Sequence, residues 1–172
     1  NRIGARSQNQ ALALISKCMK SAVDSGLILA NPAQGMAKSP EQKAQITPLN
    51  ENQVLALLDK YKGTFMGARL HIAFCGLRQG EALGLQWNDI DFKERTMRVH
   101  QQSQEVDGMR KFVKLKTESS VRTVILSDTA IEALKHHKAE IARMRLAAGT
   151  KWNDKDLVFP NREGGFQQPK LD

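Results

Sequence analysis

Residues 76–91 read Gly76-Leu77-Arg78-Gln79-Gly80-Glu81-Ala82-Leu83-Gly84-Leu85-Gln86-Trp87-Asn88-Asp89-Ile90-Asp91, and the chain changes its period across them. Before this stretch apolar residues recur at helical three- and four-residue steps; after it they alternate. A short helix is predicted over 79–85, and Asn88-Asp89 makes the turn out of it. Met97 and Val99 then alternate with Arg98 and His100 as a strand over 96–101. Asp107-Gly108 is a hairpin signal, and strands are predicted over 111–116 and 121–126 around a turn at 118–120. A long helix over 128–148 turns Ile131, Leu134, Ile141 and Met144 inward and can be capped by Gly149. Leu157 to Phe159 reads as a last short strand before Pro160. Such segregated elements imply an α+β fold, mainly α, with helices flanking a small three-stranded antiparallel sheet.

Working upstream, a helix over 65–74 stops at Gly76. Another begins at Asn50, which can N-cap, with Gln53 closing a capping box and Leu49 stapling onto Val54. Val54, Leu57, Leu58 and Tyr61 form its apolar stripe. Residues 37–48 are polar and hold Pro40 and Pro48, the composition of a linker. A first helix over 8–25 is too little to make a domain. With Asn1 rather than Met at the start, it reads as the end of a domain cut upstream.

The 172 residues are 41% hydrophobic, which argues against a disordered chain. No apolar run approaches the roughly 18 residues of a membrane span, so no membrane-spanning segment, and no membrane partner through one, is expected. Polar and charged groups run through the first twenty residues, with no secretory signal pattern. Cys18 and Cys75 exclude a disulfide scaffold, fit a reducing cytoplasm, and are expected to pack as small apolar groups. Lys and Arg number 26 against 18 Asp and Glu, a net charge of +8. That surplus points to an anionic partner, nucleic acid first and an acidic membrane surface second.

Two segments carry candidate chemistry. Arg78 sits between two glycines at a helix junction, where a guanidinium offers a rigid fork to a carboxylate or phosphate. Glu81, three residues on, shares its face and can hold it; the alternative is an ordinary surface ion pair. Lys114 and Lys116 fall on one face of the predicted strand 111–116. A lysine near a hairpin tip can protonate a leaving oxygen, or simply protect a sheet edge.

Together these residues resemble the tyrosine recombinases, the phage integrase family. Gly76 to Asp91 is similar to the family's first-arginine motif. Lys116-Thr117 with Ser120 and Arg122, followed by Val124-Ile125-Leu126, resembles its β-hairpin lysine motif. Leu157-Val158-Phe159-Pro160 resembles the stretch preceding its His-x-x-Arg box. Gly26 to Pro32 is similar to the end of the core-binding domain. The resemblance implies a core-binding remnant over 1–36, a linker over 37–48 and the N-terminal part of the catalytic domain over 49–172. It implies site-specific recombination of mobile-element DNA through a 3′-phosphotyrosyl intermediate, with no metal or other cofactor. Arg78 would stabilise the phosphorane charge, Lys116 would be the general acid, and Glu81 would support Arg78. Lys114, Thr117, Ser120 and Arg122 would contact double-stranded DNA. Complete members assemble as a tetramer on DNA, whereas this chain alone is expected to be a bacterial, cytoplasmic monomer.

The sequence departs from the family pattern at one decisive place. Tyr61 is its single tyrosine, and it precedes Arg78, whereas the family's nucleophile follows every other catalytic motif. The second arginine and the nucleophile are expected beyond Asp172. The chain is therefore expected to bind DNA without cleaving it. The alternatives are a DNA-binding protein that never carried a catalytic tail, a decayed mobile-element remnant, and a metal-dependent nuclease built on Glu81, Asp89 and Asp91. His71, His100, His136 and His137 are expected to be structural or solvent-facing.

Overall fold

A computed structural model of the chain describes residues 3–41, 47–117 and 120–167. The chain divides into two compact units, Asn1–Pro48 and Leu49–Asp172. In the first, α1 (Ala5–Asp24) starts three residues earlier than its apolar pattern predicts. It closes where Gly26 N–H and Leu27 N–H donate to the Val23 and Ala22 carbonyls, each at 2.9 Å. Asn9 ties the segment after it back to the helix, donating to Ser39 O at 2.9 Å and accepting from Ser39 N at 2.8 Å. Cys18 is exposed here, contrary to expectation, because α1 buries none of its residues within this unit. The centre of the predicted linker, 42–46, lies outside the described residues.

The second unit opens with α2 (Glu51–Lys60). Asn50 and Gln53 make the predicted reciprocal capping box, at 2.9 and 3.0 Å. Thr64 caps α3 (Phe65–Phe74) by accepting from Gly67 N–H at 3.1 Å. The chain then reverses through Gly76, whose φ of 79° suits a residue without a Cβ. Next come α4 (Gln79–Leu83), a 3₁₀ turn (Trp87–Asp89), β1 (Ile90–Asp91) and β2 (Thr96–Val99). After these follow β3 (Gln101–Val106), β4 (Met109–Lys114), β5 (Arg122–Ile125) and α5 (Asp128–Ala148). Among the described residues no helix is long and apolar enough to cross a membrane.

The α+β class holds, with small antiparallel sheets, but the strands are dealt differently from the sequence expectation. The three-stranded sheet is β1-β2-β5, while β3 and β4 form a separate two-stranded ribbon. The predicted strand 96–101 breaks at His100. Val99 still pairs with Arg122, but Gln101 pairs with Lys114 in the ribbon. Asp107 (φ 53°) and Gly108 (φ 73°) close that ribbon with the left-handed pair a two-residue hairpin requires. The predicted strand over 157–159 is reduced to one bridge, Gln86 to Leu157, and Pro160 offers no N–H to extend it.

The core lies between the three-stranded sheet, α3 and α5. Met97, Val99 and Leu126 meet Ala68 and Ile72 of α3 and Ile131 and Leu134 of α5, and Val158 and Phe159 complete it. His137 is buried with them and donates through Nε2 to the Val158 carbonyl at 2.6 Å. Burial holds its pKa below the ordinary imidazole value. It is a structural histidine, as expected.

A close approach seats α4. Gly80 and Gly84, one turn apart, face β3: a Cβ on Gly84 would lie 2.6 Å from Ser103 N, and one on Gly80 3.3 Å from Ser103 O. Only hydrogen fits at Gly84 without moving backbone. Gly84→Ala is therefore expected to lower stability by roughly 1–3 kcal/mol through overpacking, measured as a lower urea midpoint at unchanged m-value. A wild-type midpoint would mean that α4 does not depend on this contact.

Candidate active site

Arg78 stands at the N-cap of α4 in extended conformation (φ −68°, ψ 153°), immediately after the Gly76 reversal. Glu81, at the third helical position, reaches back and accepts the Arg78 backbone N–H at 2.9 Å, half of a capping box. Arg78 Nη1 also donates to Glu81 Oε1 at 3.0 Å. The local pair therefore forms as its spacing predicts. It is not an ordinary surface pair, because the Glu81 side chain is fully buried while that of Arg78 is 74% exposed.

A second guanidinium completes the arrangement. Arg122 Nη2 donates to Glu81 Oε2 at 2.9 Å, and Nη1 donates to Oε1 at 3.3 Å. Arg122 also reaches the Gly76 carbonyl at 3.2 Å and the Ser120 carbonyl at 3.4 Å. Two guanidiniums thus share one carboxylate, so among the described residues the cluster carries one net positive charge. Burial pushes the Glu81 carboxyl up. The hydrogen bond from Arg122 and those from the Arg78 backbone and side chain outweigh it, so its pKa lies below the ordinary 4.5. Glu81 in turn raises the pKa of Arg122. Gly76, Arg78, Ser120 and Arg122 line an open polar concavity of about 470 Å³.

The lysine segment adjoins this cluster through Ser120, whose hydroxyl lies 2.7 Å from that of Thr117. Lys116 is exposed and sits past the end of β4, so it does not share a strand face with Lys114 as expected. Leu115 N–H still donates to His100 O at 3.4 Å, in register with the ladder, and the chain bends away at Lys116. Lys114, also exposed, pairs with Gln101 in the ribbon. Glu118 and Ser119, part of the predicted turn, lie outside the described residues.

The acidic residues weighed for a metal do not converge. Asp89 accepts from Gln86 N–H at 2.9 Å and pairs with His100 Nε2 at 2.8 Å. Asp91 accepts from the N–H groups of Lys93 and Glu94, both at 2.9 Å. Both carboxylates organise backbone turns, as the turn reading of this stretch has it. Tyr61 is the half-buried C-cap of α2. The bond from Arg122 to Glu81, across 41 residues, is what sequence reasoning missed. Its one trace in the sequence is an arginine at the start of the predicted strand 121–126.

The sequence model of the phage integrase family matches residues 47–170. A tyrosine recombinase XerC-like protein of Caldanaerobacter subterraneus subsp. tengcongensis is 34% identical over 162 residues, which span 83% of this chain and 41% of that protein. Prophage integrase IntR of Escherichia coli K12 is 30% identical over 174 aligned positions, 95% of this chain and 42% of that one. The chain thus spans about two fifths of the length of these relatives. The Tn1549 transposon integrase, solved in complex with a circular intermediate DNA, shares the fold at a TM-score of 0.67 and 19% identity, over 96% of this chain and 54% of that one.

The lowered Glu81 pKa has a consequence for stability. A carboxyl whose folded pKa is depressed contributes stability above its unfolded value, near 4.5, and loses it as pH falls through the folded value. Glu81→Gln is expected to cost about 1–3 kcal/mol at neutral pH. That difference should shrink steadily as denaturant titrations move below about pH 4. A difference independent of pH would mean the carboxylate charge contributes nothing.

Proposed function

This chain belongs to the phage integrase family, and from that premise we propose that it serves site-specific DNA strand exchange by the tyrosine-recombinase route. One observation carries the reading: an exposed arginine fork, fixed at its base by a buried carboxylate, faces an open concavity beside a cluster that, among the described residues, carries one net positive charge. A phosphodiester under nucleophilic attack gathers negative charge on its non-bridging oxygens. A fork already in place stabilises that charge without reorganising. Arg78 takes this part, and Glu81 is its positioning residue.

Lys116 is the general acid that protonates the departing 5′-oxygen. Its exposure beyond the end of β4 lets the ammonium reach toward DNA. Lys114, Thr117 and Ser120 face the sugar-phosphate backbone beside it, and the +8 net charge draws the duplex in. The attacking hydroxyl is not that of Tyr61, which caps α2 in a half-buried position. The nucleophile therefore lies outside these 172 residues. By themselves they bind duplex DNA as a monomer and do not cleave it. The core-binding remnant is residues 1–36, the linker 37–48 and the catalytic part 49–172.

The duplex affinity of the 172-residue chain is expected to fall at least tenfold between about 50 and 200 mM salt, measured by fluorescence anisotropy, with no covalent protein–DNA adduct. A salt-independent affinity, or an adduct at Tyr61, would overturn the reading. In the complete recombinase Arg78→Lys is expected to lower strand cleavage about 100-fold or more with folding intact, because a point charge cannot replace a fork. Wild-type cleavage by that variant would remove Arg78 from the chemistry.

A further inference from the structure

We infer that Arg122 is a positioning residue for Arg78, acting by competition for the Glu81 carboxylate so that the outer edge of the Arg78 fork stays open to a DNA phosphate. The inference rests on the phosphate-binding role proposed for Arg78. It gives Arg122 a different part from the direct DNA contact expected from its sequence position.

The argument is one of hydrogen-bond supply. Glu81 is fully buried, so both its oxygens must be satisfied by protein donors. Arg122 occupies both, at 2.9 and 3.3 Å, and the Arg78 backbone N–H takes a further place on Oε2. One contact is left for the Arg78 guanidinium, through Nη1 alone. Arginine has five N–H donors in a rigid fork. A monodentate contact at one corner steers the fork and leaves its remaining donors for an incoming anion. Without Arg122, Glu81 would be short of donors. Arg78, free to rotate with its side chain 74% exposed, could then close a bidentate pair and withdraw from the concavity.

Arg122 is well placed for this work and poorly placed for a contact of its own. Its Nη2 is also held by the Gly76 carbonyl, in the turn that delivers Arg78. Its Nη1 is also held by the Ser120 carbonyl, at the end of the lysine segment. One guanidinium thereby fixes the turn before Arg78, the carboxylate behind it and the exit of the segment that carries Lys116.

The test is a double-mutant cycle in duplex binding by the 172-residue chain. The readout is the salt slope of the affinity, with Arg78→Gln, Arg122→Gln and the double variant beside the wild type. Each phosphate contact contributes about 0.9 to that slope. If Arg122 acts through Arg78, each single variant loses about 0.9 and the double loses no more than either. A double variant that loses about 1.8 would make Arg122 an independent phosphate contact and overturn the proposal. An Arg122→Gln slope equal to wild type, with Arg78→Gln reduced, would make Arg122 merely structural and overturn it too. An Arg78→Gln slope equal to wild type would instead remove the role proposed for Arg78 itself. Should Arg122→Gln fail to fold by circular dichroism, Arg122→Lys takes its place. That variant keeps the charge but replaces the planar fork that holds four oxygens with a point charge, so a lost slope there supports positioning and a retained one refutes it.

Discussion

The buried Glu81 carboxylate is the constraint on which the rest of this site depends. Taking a carboxylate out of water costs several kcal/mol unless donors replace the lost hydration. Here they come from three places: the Arg78 backbone, the Arg78 guanidinium and the Arg122 guanidinium. Those places belong to the start of α4 and the start of β5, far apart in sequence. Satisfying one acid therefore brings two chain segments into fixed relation. Breaking that arrangement would strand a charge in the interior, so it persists as a unit.

The second constraint is steric. α4 has only five residues, too short to hold itself together by its own hydrogen bonds. It is held by packing, with Gly80 and Gly84 against the backbone of β3. Beyond it Leu85 accepts from Val158 N–H at 2.9 Å, and Trp87 N–H donates to Asp156 O at 2.9 Å. The stretch that looks like a catalytic motif is thus mostly scaffold. Gly80 and Gly84 fasten the segment to β3, Leu85 and Trp87 fasten it to residues 156–158, and Arg78 is among the side chains left exposed.

How much of this could be read from the sequence follows from the range of each interaction. The capping box at Asn50, the hairpin turn at Asp107-Gly108 and the extent of α5 are local, and each is legible in a few consecutive residues. The Arg78–Glu81 pair is legible for the same reason. The division of strands between sheet and ribbon is not, because His100 and its neighbours alternate like one continuous strand. What separates them is tertiary: His100 bonds Asp89, and Gln101 turns its amide onto the Gly84 carbonyl at 3.1 Å. The same holds for the end of β4 short of Lys116, and for Arg122, whose partner is 41 residues away. The exposure of Cys18 is not legible either, because apolar spacing on α1 implies a burial that this unit does not supply.

Arginine and lysine are treated differently here, and the proposed chemistry accounts for the difference. Charge stabilisation in a transition state rewards donors that are already in place, since any reorganisation subtracts from the gain. An arginine held at its base by a buried acid, in a turn fixed by a second arginine, meets that need. A proton donor must instead meet an oxygen whose position changes as the bond to phosphorus breaks, and it must approach within hydrogen-bond reach. A lysine beyond the end of a strand, exposed on a four-carbon stem, suits that task better than one locked in a ladder. The rigid fork and the reaching ammonium are joined at Ser120, whose carbonyl holds Arg122 and whose hydroxyl meets Thr117.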